Sequence, residues 1–249
     1  MLGRSFGLGM IMVLFSLEAR LALCASMVRP GAALADVGTD HAYLPVWLAR
    51  RGLIRSAVAS DVRPGPLERA EKNIERYGAS GIVQTRLCNG LDGISPGEAD
   101  DVVLAGMGGL LMAEIIGRAA WLKDGRKHLI LQPMTRGEEL RRSLFENGFS
   151  VLREQAVLEE RRVYTVMLCE WGRTALPADE LFPYIGLLNG DTPAGRAYLQ
   201  KARKRLQNRA AGFSARGECD GAEELLHLRE KIGALLAPRE TEKKHDDGS

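Results

Sequence analysis

Residues 33–45 read Ala33-Leu34-Ala35-Asp36-Val37-Gly38-Thr39-Asp40-His41-Ala42-Tyr43-Leu44-Pro45. A run of small and apolar residues meets a glycine, and a helical pattern then continues from Leu44 to Arg51. That is a strand turning tightly into a helix. Outward from it the same unit repeats. Candidate strands are Ala33–Val37, Ala57–Asp61, Val83–Leu87, Asp101–Ala105 and Leu129–Gln132. Candidate helices between them are Leu44–Arg51, Pro66–Tyr77, Gly109–Ala119 and Glu138–Asn147. The alternation predicts an α/β fold, a parallel sheet with helices on both faces. The first three strands lack strict apolar–polar alternation, as strands covered on both faces do. After Gly148 the pattern changes. Phe149–Leu158 and Arg162–Glu170 are separated only by Glu159–Arg161, which predicts an antiparallel pair at a sheet edge.

A break at Trp171–Pro177 precedes a helical, charged region. Leu199, Ala202, Leu206, Ala210 and Phe213 form one apolar stripe, and Leu225, Leu228, Ile232 and Leu235 another, with Gly217 and Asp220-Gly221 between. This predicts an antiparallel helical hairpin, too short to stand alone as a coiled coil. The polar tail 240–249 is expected to be disordered. At the other end, Arg4, the apolar Met10–Phe15 and Ala22–Ser26 imitate an export signal. Leu14, Leu17, Leu21, Cys24 and Val28 instead follow helical steps, with Glu18 and Arg20 off that face, and an amphipathic helix is the preferred reading.

With 249 residues, 45% hydrophobic and 27% charged, the chain suits one ordinary domain plus an appendage. Disordered, collagen-like and disulfide-scaffold classes are excluded. The net charge of +2 excludes a polycation but not a local basic patch. Cys24, Cys88, Cys169 and Cys219 are scattered and only four histidines are present, so no metal is expected and the thiols read as reduced, in a cytoplasmic protein. No apolar run approaches the roughly 18 residues of a membrane span. A monomer is the expectation for the oligomeric state.

Ligands of open parallel sheets sit at the carboxyl ends of the strands. The first ends in Gly38, which admits a close ligand, flanked by Asp36 and Asp40. GxGxxG is absent and Asp40 would repel a pyrophosphate, so a cationic or neutral nucleoside cofactor fits better than a dinucleotide. Asp61, at the second end, can accept both ribose hydroxyls. Asn89, beside Gly90, ends the third and can bond an adenine edge. Ala105-Gly106-Met107-Gly108-Gly109 ends the fourth, a turn bare enough for a flat base, and Gln132-Pro133 ends the fifth.

These segments, in this order, resemble the bacterial tRNA (adenine-22-N1)-methyltransferase family, as do Leu140–Leu144 and Glu159–Tyr164. The resemblance covers roughly residues 14 to 237. It implies a Rossmann-like class I methyltransferase with a mostly parallel seven-stranded sheet and a small, coiled-coil-like helical domain. The corresponding divisions are an extension at 1–13, an S-adenosylmethionine-binding domain at 14–172, a helical hairpin at 178–239 and the tail. The implied activity is N1 methylation of an adenosine in tRNA, with S-adenosyl-L-methionine as cofactor, in a bacterial cytoplasm.

Transfer from a sulfonium is an in-line displacement that chiefly needs positioning. Adenine N1 already offers a lone pair, and methylation leaves a cationic ring. Asp40 is the candidate to stabilise that charge or accept an N6 proton. Asp36 would orient the turn or the methionine amino group, Asp61 the ribose, and Asn89 with Gly90 the cofactor adenine. Gly38 and Gly106 would make room. Met107 and Gly108 would line the target-base slot, and Gln132 would orient the base edge. His41 and Tyr43 would stack on base or cofactor. The plain alternatives are an N-cap or Asx-turn for Asp36 and Asp40, a cap for His41, and packing for Tyr43 and Met107. Lys201, Arg203, Lys204, Arg205 and Arg209 read as phosphate contacts, or as a solvated helix face, with Arg161-Arg162 and Arg141-Arg142 extending them. Three rivals are a methyltransferase for a protein or small molecule, a dinucleotide oxidoreductase, and a non-catalytic RNA-binding protein with a vestigial pocket.

Overall fold

The structure, a computed structural model, describes residues 14–172 and 179–237. The extension 1–13, the segment 173–178 and the tail from 238 onward lie outside the described residues. A short helix α1 (Ala19–Ala25) leads into β1 (Ala32–Val37), α2 (Tyr43–Arg50), β2 (Ile54–Asp61), α3 (Pro64–Arg76) and β3 (Val83–Leu87). Then follow β4 (Asp101–Gly108), α4 (Gly109–Arg118), β5 (His128–Thr135), α5 (Gly137–Glu146), β6 (Phe149–Glu159) and β7 (Arg162–Trp171). The chain closes with α6 (Phe182–Ile185), α7 (Pro193–Ala215) and α8 (Cys219–Ala234). The seven strands lie in the order β3-β2-β1-β4-β5-β7-β6. The first five are parallel, and β7 is antiparallel to both β5 and β6. The order reverses between β1 and β4, and a crevice opens there at the strands' carboxyl ends.

Successive residues of a strand face opposite sides, and here both sides are covered. Leu34, Val103 and Ile130 pack with α1, α2 and α3 in one apolar layer. Ala35, Val102, Leu104, Leu129 and Leu131 pack with α4 and α5 in the other. The continuous apolar runs follow from this double burial. At the amino-terminal edge the fully buried Asp101 accepts from the Arg29 backbone N and Nε, each at 2.7 Å.

Several elements differ from their sequence outlines. β4 and β5 run on to Gly108 and Thr135 because their pairing continues through register shifts at Met107. Gln132-Pro133 therefore lies within a strand. Only Ala19–Ala25 of the expected N-terminal helix is helical, yet Phe15, Leu17 and Val28 still pack on the adjoining layer. α6 was not anticipated.

The α7–α8 stripes meet as expected, with Leu199, Ala202, Leu206, Ala210, Leu225, Leu228 and Ile232 buried together, while Leu235 stays exposed beyond the end of α8. This core also takes in Val163 of β7 and Tyr184 and Ile185 of α6. A buried ionic network joins the same elements. Arg141 of α5 donates from Nη2 to Glu154 Oε1 at 2.5 Å and to the Tyr198 hydroxyl at 3.0 Å, and from Nη1 to the Pro183 carbonyl at 2.9 Å. Glu154 also accepts from Thr165 Oγ1 and the Leu187 amide. Gly186, at φ +59°, is required here because any Cβ would collide with the Glu154 carboxylate. Arg141, expected on an RNA-facing surface, is thus wholly buried: its helix face packs against β6 and α7, and its charge is matched internally.

Candidate active site

Two amides set the turn after β1. Gly38 N and Thr39 N both donate to the Ser60 carbonyl of β2, at 2.8 and 2.9 Å, which ties the turn to that strand. Gly38 has φ +77°, and a Cβ there would lie 2.7 Å from Met107 Cε, so a side chain would displace Met107. Thr39 Oγ1 accepts from Ala42 N at 3.1 Å, and Asn73 Nδ2 donates to the His41 carbonyl at 3.0 Å. The loop is thereby held from both α2 and α3.

This turn forms one wall of a cleft of about 790 Å³, within the usual range for small-molecule sites. Of the expected residues, Asp36, Gly38, Asp40, His41, Tyr43, Asp61 and Gly106 line it. Asp36 is buried, and loss of solvent lifts its carboxyl to about 6 despite a hydrogen bond with Thr39. Asp61 is also buried, and its Oδ1 accepts from Arg63 N at 2.8 Å, which fixes the carboxylate against the wall.

Asp40 stands differently. Its side chain is 65% exposed at the rim, 2.5 Å from Arg69 Nη2 and 3.4 Å from His41 Nε2. The Arg69 hydrogen bond holds its carboxyl below the usual carboxylate range. His41 stacks on Tyr43, with ring centroids 5.2 Å apart and an 18° interplanar angle. Tyr43 in turn meets Phe15 edge-on at 5.0 Å, and Phe15 meets Tyr77 at 4.9 Å. His41 and Tyr43 therefore belong to an aromatic wall along the cleft.

The other expected residues lie outside this lining. Met107 is adjacent, against Gly38, and Gly108 follows it at the start of α4. Asn89 is exposed beyond β3, and Gly90 packs inward, where a Cβ would lie 3.0 Å from Ile115. Gln132 requires correction as a group touching a base. It is fully buried, its Oε1 accepts from Gly106 N at 3.0 Å, and its Nε2 donates to the Pro133 carbonyl at 3.2 Å. Its amide shapes the Gly106 turn from behind.

The cleft also has an N-terminal wall that the strand-end motifs do not include, formed by Phe15–Glu18, Arg20 and Leu21. Arg20 is held by the tip of the β6–β7 hairpin: its backbone N donates to Glu159 Oε2 at 2.9 Å and its Nε to Glu159 Oε1 at 3.2 Å. Its Nη2 donates to Glu18 at 3.0 Å, and its Nη1 lies 3.7 Å from where a Cβ on Gly106 would stand. The signal for this was present, since Arg20 sits off the apolar face of its segment.

The basic run of α7 divides by face. Lys201 Nζ donates to the Val163 carbonyl at 3.4 Å, and Arg205 and Arg162 stand close by. Partial burial, then the neighbouring Arg205, lowers the Lys201 pKa. Lys204 is exposed on the same helix, as are Arg161 and Arg162 at the hairpin tip. Arg203 turns instead toward α8, where its Nη2 lies 3.3 Å from the Cβ position of Gly233. Arg209 is paired with Glu138 of α5 at 2.9 Å. Lys201, Arg205 and Arg162 thus stand together where α7 meets the start of β7, next to Arg161 of the hairpin tip, whose Glu159 reaches the cleft through Arg20, while Lys204 is exposed on α7. A second cavity, of about 320 Å³, lies between α5, α6 and α8, away from the strand ends and from every expected site residue except the Arg141-Arg142 pair. Among the described residues, no group of His, Cys, Asp and Glu is gathered to hold a metal, and no helix is long and apolar enough to cross a membrane.

Residues 17–167 match the family described as a methyltransferase domain. The tRNA (adenine(22)-N(1))-methyltransferase of Bacillus subtilis (strain 168) is 31% identical over 195 residues, which is 77% of this chain and 82% of that protein. The crystal structure of Streptococcus pneumoniae Sp1610 in complex with S-adenosyl-L-methionine superposes with a TM-score of 0.72 at 34% identity, covering 88% of this chain and 98% of that one. The B. subtilis m1A22 tRNA methyltransferase TrmK superposes with a TM-score of 0.78 at 25% identity, covering 89% and 99%.

Proposed function

Since the chain belongs to the bacterial tRNA (adenine-22-N1)-methyltransferase family, we propose that it methylates N1 of an adenine in tRNA from a cofactor held in the β1–β4 cleft. The carrying observation is that cleft itself: a glycine cradle closed by Met107, with Asp36 and Asp61 buried in its walls at the switch of strand order. Those residues fit S-adenosyl-L-methionine, which has a cationic amino group and a ribose diol to be bound and no phosphate to be cradled. When bound, it supplies an electrophilic methyl on a sulfonium.

The chain's own groups do the rest. Gly38 and Gly106 leave space for a ligand against the backbone. Asp36 would hold the amino group, Asp61 would accept from the ribose hydroxyls, and Asn89 with Gly90 would bound the adenine end. Met107 and Gly108 bound the slot for the target base, with Gln132 fixing the turn beneath them. His41 and Tyr43 supply the flat wall. The base must leave its stack to enter, and its N1 lone pair needs alignment more than activation. Asp40 supplies negative charge at the rim for the cationic product ring, and it stays ionised there because Arg69 holds its pKa down. Lys201, Lys204, Arg205, Arg161 and Arg162 hold the tRNA backbone beside the cleft. The setting is the bacterial cytoplasm.

Mass spectrometry of unmodified tRNA incubated with the protein and S-adenosylmethionine should reveal N1-methyladenosine; its absence sinks the proposal. Asp40→Asn should lower kcat ten-fold or more while S-adenosylhomocysteine still binds, and a full rate would remove Asp40 from the mechanism.

A further inference from the structure

We propose that Leu110, Leu111 and Met134 form an apolar contact surface for the faces of RNA bases beside the one that enters the cleft. The inference rests on the tRNA reading above and deepens it by naming what holds the tRNA open. Scattered apolar side chains in water are ordinary, whereas a cluster of them marks an interaction site. Leu110 is 57% exposed, Leu111 46% and Met134 38%. Two contacts gather them. Met107 and Gly108 of β4 pair with Pro133 and Thr135 of β5, on either side of Met134. Gly109 then brings the first turn of α4 so close to the chain after β5 that any Cβ would collide with the Arg136 carbonyl.

The position of this surface fits a base rather than a cofactor. None of the three residues lines the cofactor cleft, yet its Gly106 turn is next to them. Gly106 N donates to Gln132 Oε1, and Gln132 Nε2 lies 3.6 Å from Met134 Sδ. The surface therefore continues outward from the Met107–Gly108 slot. On its other side the chain enters α5, whose Glu138 is paired with Arg209 of α7. An adenine that leaves its stack uncovers the faces of its neighbours, and aliphatic side chains cover such faces in nucleic-acid complexes. A second copy of the chain is the poorer match, because three side chains supply only a small part of the ~800 Å² per partner that a stable interface buries.

The test uses the full chain and tRNA that carries 2-aminopurine, whose fluorescence rises on unstacking, in place of the adenine to be methylated. Leu110→Gln with Leu111→Gln should cut the fluorescence gain at saturating protein at least three-fold and lower kcat/KM for unmodified tRNA ten-fold or more. S-adenosylhomocysteine affinity should stay within two-fold, and the slope of log K for tRNA against log salt should not change, since no phosphate contact is lost. Leu110→Met with Leu111→Met keeps the apolar area and should retain the wild-type gain and rate. A wild-type gain in the glutamine variant, or a loss that the methionine variant shares, overturns the proposal. So does sedimentation that shows a wild-type dimer dissolved by the glutamine variant, which would assign the surface to a second copy. Failure of the wild-type protein to form N1-methyladenosine in tRNA would instead overturn the functional reading, and this inference with it.

Discussion

Asp36 and Asp40 flank one turn and have opposite electrostatic fates. Burial raises the Asp36 carboxyl to about 6 from an ordinary 3.8. The folded state therefore holds that proton more tightly than the unfolded chain. The resulting stability is complete below the ordinary carboxylate value and is lost as pH rises through about 6. At pH 8 the protein carries an ionised, desolvated carboxylate at a cost of ~3 kcal/mol. Asp36→Asn removes that cost. We expect urea unfolding to show the variant more stable than wild type by ~1–3 kcal/mol at pH 8 and nearly equal near pH 4, with S-adenosylhomocysteine binding weakened at pH 8. A variant less stable at pH 8 would contradict the assignment of strain to this group. Both carboxylates were legible in the sequence as a pair around a glycine. Their division was not, because it depends on Arg69, far along the chain on α3. Gln132 was misread for a similar reason: pairing of β4 and β5 past residue 132 turns its amide inward, and no local pattern announces that.

At the scale of elements, periodicity located α7 and its apolar stripe, and the strand–helix alternation placed the cleft at the β1–β4 switch. Charge alone could not say which cations of α7 remain available, since that depends on the helix each one meets. Arg203 faces α8 and Arg209 is paired with Glu138, while Arg205 stands by Lys201 near the start of β7 and Lys204 is exposed. The two groups should separate by experiment. Lys204→Glu with Arg205→Glu is expected to weaken tRNA binding ten-fold or more and to reduce the slope of log K against log salt by about 2, close to one per lost phosphate contact. Arg203→Glu should instead lower stability by ~1–3 kcal/mol, because it places a carboxylate against the packed α8 backbone. Filter binding across a salt series and thermal melts read both effects. Equal loss of tRNA affinity from the two variants would show that the helix acts through charge irrespective of face.

Buried contacts run between the sheet and the helices that follow it, through Val163 in the core shared with α7 and α8 and through Arg141 with the Tyr198 hydroxyl. Adjacent residues of α5 show how this escaped the sequence. A helix turns about 100° per residue, so Arg142 reaches the Tyr184 hydroxyl at 3.3 Å at a partly exposed site while Arg141 is sealed inside with Glu154. That sealed pair joins α5, β6 and α7, and through Glu154 also β7 and the chain after α6. Removing one partner of a buried pair strands the other's charge and costs ~3–5 kcal/mol, whereas neutralising both costs less. Arg141→Met should therefore lower stability by that amount, and Arg141→Met with Glu154→Gln should regain at least half of it, since glutamine can still serve Thr165 and the Leu187 amide. The loss should fall on the whole molecule. Trp47, Trp121 and Trp171 all lie in the methyltransferase part, so their fluorescence follows the sheet, while circular dichroism also weighs α7 and α8. Coincident urea transitions by both probes, shifted together by Arg141→Met, are the expected result. If the dichroism transition moved alone, α7 and α8 would be an independent unit and could reorient on tRNA. With coincident transitions, the cations beside the hairpin tip stay at a fixed distance from the cleft, and the tRNA must bring its adenine to them.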